Sequence, residues 1–180
     1  MTGEQFIPLP QQRVWEALND PQILKACIPG CDSIEKLSDT EYRVAMTAAV
    51  GPVKARFSGT LKLSDLDPPH SYSLAFEGSG GAAGFGKGGA QVRLTAEADG
   101  TRLAYTAKAT VGGKLAQVGS RLVDAAARKM ASDFFARFNE TVAPPPPEMV
   151  PRAKPVPHWV WVVLALLAAV VLAFWALRAR

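Results

Sequence analysis

Histidine and cysteine are scarce in these 180 residues: His70, His158, Cys27 and Cys31 are all there is. A structural zinc site takes about four nitrogen or sulfur ligands. His70 follows Pro68-Pro69 in a turn, and His158 stands beside a long apolar run, so the four are not expected to meet. The cysteines read as two structural thiols, reduced as is usual in a cytoplasmic protein, and no metal is expected. A Ser-His-Asp triad would have to use His70, which reads as a surface residue. Asp65 and Asp67 lie near it in a turn and read as solvated rather than as a paired acid and base. With no catalytic set left, the chain is read as a protein that is not an enzyme.

A secretory leader is also missing. Met1–Pro10 has neither a basic n-region nor a long apolar stretch, which predicts a domain made in the cytoplasm and kept there. Nor does net charge point to nucleic acid. Residues 1–143 hold 16 Lys+Arg against 15 Asp+Glu, whereas 144–180 hold four basic residues against Glu148. The sequence pI of about 9.2 therefore comes mostly from the tail. Nucleic-acid binding would need a basic stripe on the folded domain; basic residues in the tail suit an anionic inner leaflet instead.

Charge is absent altogether from Trp159–Leu177, which also lacks proline. Nineteen helical residues reach about 28 Å, close to the hydrocarbon core of a bilayer. A buried core helix would keep a polar stripe, and this segment is apolar on every face. Trp159, Trp161 and Trp175 mark its two ends as interfacial aromatics do. Residues 158–180 are thus expected to be a single-pass tail anchor in the inner (cytoplasmic) membrane, the domain facing the cytoplasm. Ala165, Ala169 and Ala173 recur every fourth residue, a small-residue face that suits a homodimer through the span. Before it, residues 144–157 are rich in proline and predict an extended polyproline II linker.

What remains is one domain, 1–143. Glu4–Leu9 reads as a strand and Pro10–Leu18 as a short helix. Asp20-Pro21 opens a second helix through Ala26, with Asp20 as N-cap and Pro21 at its first position. The period then changes to two. Ser33–Leu37, Glu41–Val50, Val53–Leu63, Tyr72–Phe76, Ala90–Ala98 and Thr101–Val111 alternate as half-buried antiparallel strands do. The chain closes with a helix expected over Gly113–Thr141, on which Leu115, Val118, Leu122, Ala126, Met130, Phe134 and Phe138 step by three or four. The fold class is therefore α+β: a curved antiparallel sheet wrapped around a long C-terminal helix, plus one transmembrane helix.

The glycine-rich run Gly78–Gly89 invites a nucleotide reading. Gly84, Gly86 and Gly89 satisfy G-x-G-x-x-G, and Gly81 with Gly86-Lys87 resembles a P-loop. Both motifs need a helix after the loop, yet a strand follows here, and Gly88 stands where a Ser or Thr would hold Mg²⁺. A mobile loop at a pocket mouth is expected instead, with Phe85 as its one large apolar side chain.

Three stretches carry a family resemblance: Asn19-Asp20-Pro21 through Cys27-Ile28-Pro29-Gly30-Cys31; Gly86-Lys87-Gly88 with the strand Gln91–Ala98; and Gly112–Leu122 (GGKLAQVGSRL) running into Phe134-Phe135-Ala136-Arg137-Phe138. With the strand pattern they cover 1–141, and the third is the most specific. The sequence resembles the carbon monoxide dehydrogenase CoxG family, within the START/Bet v 1-like superfamily (SRPBCC). The resemblance implies a helix-grip fold with an apolar cavity, and association with an aerobic molybdenum hydroxylase of the carbon monoxide dehydrogenase type.

A sheet gripping one helix commonly leaves a gap, and small or pliable side chains on that helix leave room for a guest. Phe85, Leu115, Val118, Leu122, Ala126, Met130, Phe57, Phe76 and Tyr105 are the expected ligand-binding residues. The expected ligand is a lipophilic small molecule, a respiratory quinone or another lipid, with no other cofactor. The expected role is an accessory protein that links the hydroxylase to the membrane. An assembly or recruitment factor with no ligand-carrying role is the alternative.

Overall fold

The computed structural model describes residues 1–143. The expected proline-rich linker, the expected membrane span and its alanine face lie outside the described residues. Among those described, no helix is long and apolar enough to cross a membrane.

The chain runs β1 (Thr2–Ile7), α1 (Gln11–Leu18), α2 (Pro21–Cys27), β2 (Cys31–Lys36), β3 (Glu41–Val50), β4 (Val53–Asp67), β5 (Ser71–Ser79), a 3-10 turn (Gly81–Ala83), β6 (Phe85–Glu97), β7 (Gly100–Gly112), α3 (Lys114–Gln117) and α4 (Ser120–Val142). Seven antiparallel strands pair in the order β1-β7-β6-β5-β4-β3-β2. The short helices obey the expected chemistry. Pro21 opens α2, and the Asp20 carboxylate accepts from the Gln22 N–H at 2.8 Å, satisfying one of the orphan donors of the first turn.

Two expectations fail, each for a local reason. The glycine run is not one loop. Gly78 and Ser79 end β5, and Phe85–Gly89 begin β6, paired on one side with β5 and on the other with β7. Glycine's taste for turns is overridden here by cross-strand fit. A Cβ at Gly88 would stand 2.9 Å from the Phe76 ring, so the glycine makes the seat on which that ring lies. Only Gly80–Gly84 turns.

Nor is the closing helix continuous. α3 stops after one turn, and Gly119 takes φ 95 and ψ 145 before α4 begins. That backbone is one only glycine enters readily, and it bends the chain into an elbow.

The core gathers at one end. Ile7, Val14, Leu18, Cys27, Tyr72, Leu94, Leu103, Phe135 and Phe138 form one buried cluster. α1 supplies its apolar side, Trp15 meets Tyr72 edge-on at 5.5 Å, and α2 packs on the C-terminal half of α4.

Candidate functional site

Strand register sorts the sheet's two faces. Tyr72, Leu74 and Phe76 on β5 are level with Val92, Ala90 and Gly88 on β6, and these with Tyr105, Ala107 and Ala109 on β7. Leu63, Leu61, Gly59, Phe57, Ala55 and Val53 continue this face on β4, and Tyr42, Val44, Met46, Ala48 and Val50 on β3. Tyr105 stacks on Phe135 of α4, so this is the helix-facing side. Not one of these inner positions carries a charged side chain. The intervening residues, among them Lys54, Arg56, Lys62, Lys87 and Lys108, fall on the outer face.

The inner face is packed at one end and open at the other. Leu103 and Phe138 are 1% and 0% exposed, whereas Phe76 is 36%, Met130 36% and Leu122 48% exposed. Small residues prevail where the cover ends: Gly88, Ala107 and Ala109 on the sheet, Ala126 and Ala127 on the helix. The half-buried strip on the first half of α4 is Val123, Ala126, Ala127 and Ala131. Of the expected line Leu122–Ala126–Met130 only Ala126 lies in this strip and its neighbours fall beside it, because steps of four drift about 40° around a helix of 3.6 residues per turn. Val123, Ala127 and Ala131 thus escape the sequence pattern, and an allowance for that drift finds them. A pocket of about 340 Å³ between β1 and α4, lined in part by Met1, Gln5, Tyr105 and Arg128, opens beside Tyr105.

A mouth forms where the hairpin tips meet the elbow. A Cβ at Gly51, in the β3–β4 turn, would stand 3.1 Å from Val118 and 3.4 Å from Leu122. The β5–β6 turn meets the start of α3 backbone to backbone: a Cβ at Gly113 would lie 2.6 Å from the Gly84 Cα. Leu115, 5% exposed, is buried in α3 against this junction and acts in packing. Phe57 lies against Gly80. Phe85 is placed differently from expectation. It is level with Ser79 and Gly112 and in phase with Lys87, so it sits on the outer face with its ring over Gly112. Of the nine residues singled out, Phe57, Phe76 and Tyr105 share the helix-facing side of the sheet, and Ala126 and Met130 lie on the first half of α4. Val118 and Leu122 stand at the mouth.

Burial raises the pKa of several titratable groups on the inner face and in the core. Burial pushes the Tyr72 phenol well above its ordinary range, and pushes up Tyr42 as well; the Tyr42 hydroxyl donates to the Asn19 carbonyl at 3.3 Å. Both thiols are pushed up by burial. Cys27 donates to the Thr141 hydroxyl at 3.6 Å, a packing role for a protonated thiol. No cluster of three or more His, Cys, Asp or Glu occurs among the described residues.

Residues 3–143 match the sequence model of CoxG, a family named for a component of carbon monoxide dehydrogenase. The chain belongs to the CoxG family. The match covers the whole described CoxG domain, from β1 to the end of α4, and suggests an accessory role for carbon monoxide dehydrogenase. Among solved structures, a conserved protein from Geobacillus kaustophilus is 33% identical with a TM-score of 0.74, the alignment covering 79% of this chain and 93% of that one. Nearly the whole of that relative is thus a domain of this extent, folded by itself. The Zhui aromatase/cyclase of Streptomyces sp. R1128 aligns at 14% identity and TM-score 0.58 over 78% of this chain and 91% of its own. Ara h 8.0201 does so at 15% and 0.55 over 78% and 95%. These two show that the CoxG domain has the Bet v 1-like helix-grip fold. A search of curated proteins gave no match.

Proposed function

We propose that this protein holds a lipophilic molecule, a respiratory quinone, in the open half of the grip and serves an aerobic carbon monoxide dehydrogenase-type molybdenum hydroxylase at the membrane. One observation carries the ligand: a sheet face uncharged from β3 to β7, on which Phe76 is left uncovered, under a helix whose Leu122 and Met130 are uncovered too. Apolar side chains that a domain does not bury against itself favour an apolar guest by roughly 25 cal/mol for each Å² removed from water. The family match supports the hydroxylase as partner. The uncharged run Trp159–Leu177 supports the membrane as the site of action.

The chemistry of the cargo follows from the task. A hydroxylase in the cytoplasm must pass electrons to the bilayer, where quinones reside. A quinone leaving the bilayer exposes its tail at about 0.8 kcal/mol per CH₂, and a tethered apolar cleft offsets that cost. The test is organic extraction of the purified protein, truncated after Ala143 and made in a quinone-containing host, followed by mass spectrometry. A quinone near one per protein is expected. A domain that carries no lipophile and takes up no quinone analogue when supplied with one would refute the reading.

A further inference from the structure

β2 to β7 form a meander, so successive turns alternate between two ends of the sheet. One end, the mouth, holds Gly51-Pro52, Gly80–Gly84 and the passage Gly112-Gly113 into α3. The other holds the β2–β3, β4–β5 and β6–β7 turns. The near-balance of charge over the whole domain conceals a division between these ends. Segments 46–59, 76–89 and 107–125, which converge on the mouth, carry Lys54, Arg56, Lys87, Lys108, Lys114 and Arg121 against Glu77 and Asp124. The rest of 1–143 carries ten basic residues against thirteen acidic. Asp39, Asp67 and Asp99 stand in or beside the far turns, and no turn at the mouth contains an acid.

Most of the mouth's cations also have no ion-pair partner among the described residues. Among the described residues only Arg56 of the six has an ion-pair partner, Asp32 at 3.2 Å. Lys62, Lys87 and Lys108 help line an open groove of about 560 Å³ on the outer face, floored by Ala75 and Gly89, with Glu77, level with Lys87, as its one acid. Two exposed apolar side chains, Leu122 beside the Gly51 turn and Phe85 at the start of β6, stand among these cations. Exposed apolar groups interspersed with free lysines are what the interface of an anionic bilayer accepts. The exposed leucines of the far end, Leu37 and Leu66, sit instead among carboxylates that such a surface repels.

We infer that the mouth end of the domain seats directly on an anionic lipid bilayer, with its lysines and Arg121 at the headgroups and Leu122 turned toward the acyl region. The cavity then opens against lipid, and a lipophile enters it without exposing its methylenes to water. Opposite charge at the two ends orients the domain within the roughly 10 Å over which a charged surface is felt at 0.1 M salt. The inference rests on reading this end as the entrance for a lipophile, but the seat is a property of the protein surface and needs no bound ligand.

The test uses residues 1–143, which contain the whole core cluster and correspond to the separately folded Geobacillus relative. The domain is sedimented with vesicles of phosphatidylcholine alone or mixed with phosphatidylglycerol. Binding is expected only with phosphatidylglycerol and should weaken as salt rises. The triple variant Lys87→Gln, Lys114→Gln, Arg121→Gln should lose about 100-fold in affinity, roughly five-fold for each cation at the surface. The control Arg43→Gln, Arg93→Gln, Arg137→Gln removes the same charge from the far end and should stay within about three-fold, since those groups lie beyond the reach of the surface. All six residues are exposed, so unchanged melting temperatures are expected of both. Equal losses in the two variants would overturn the seat, as would equal binding to the two vesicle types. Absence of binding to either would also overturn it and assign the basic end to an acidic protein partner. Vesicle binding is read without quinone, so failure here leaves the cavity standing, and a domain that binds vesicles but takes up no quinone fails only as a carrier.

Discussion

The ring of Tyr105 stacks on that of Phe135, with centroids 5.5 Å apart and planes 30° from parallel. The pair stands where the packed half of the domain gives way to the open half. On its packed side Phe134 and Phe138 stack at 5.7 Å; on its open side α4 presents Ala127, Ala126 and Met130. Phe135→Ala is therefore expected to cost about 3–5 kcal/mol, as truncation of a buried aromatic does. Met130→Ala, little more than a turn earlier, should cost about 1 kcal/mol or less because its side chain is already partly in water. Urea unfolding of the two variants measures the difference. Equal costs would mean that α4 is packed along its whole length.

The elbow before α4 depends on one backbone conformation. Gly119 has φ 95, and nothing lies within 4 Å of where a Cβ would stand. Gly119→Ala meets no steric obstacle, so its cost is conformational, about 1–3 kcal/mol for a non-glycine residue in this region. Thermal unfolding should show that loss, and a neutral Gly119→Ala would mean that the elbow straightens without penalty.

Tyr72 makes stability depend on alkaline pH. Its phenol is buried and held above the ordinary value of 10.0. The unfolded chain releases this proton at a lower pH than the folded one, so stability is full below about 10 and falls as pH rises beyond it. Unfolding free energies measured from neutral pH upward should bend downward past 10, and the bend should be shallower in Tyr72→Phe. Identical alkaline limbs would show that another group governs the loss. Tyr42 shifts in the same direction, so some slope should remain in the variant.

Much of this architecture is legible in the residues themselves. Asp20-Pro21 announces the start of α2, and the alternation Val53–Leu63 fixes which face of β4 is wet. The strand boundaries around Gly78–Gly89 are not legible. A glycine that lets a chain turn cannot be told, locally, from one that lets Phe76 lie flat on a neighbouring strand. The break at Gly119 is concealed because Leu115, Val118 and Leu122 keep helical spacing across it. Phe85, expected on a loop at the pocket mouth, takes the outer face because β6 already begins at it and strand alternation then sets its side. The polarity of the domain, basic at the mouth and acidic at the far turns, appears only when the order of the turns is known.

Ala126→Trp tests the central claim most directly. Ala126 is half-buried on the first half of α4, the helix that covers the sheet face carrying Phe76, Ala107 and Ala109. An indole there should fill the cavity. Melting temperature and quinone-analogue binding are measured together on the purified domain and the variant. Lost binding with a melting temperature near that of the unmutated domain is the expected result. A large fall in melting temperature, as overpacking by about 1–3 kcal/mol or more would give, or the absence of binding by the unmutated domain, would contradict it.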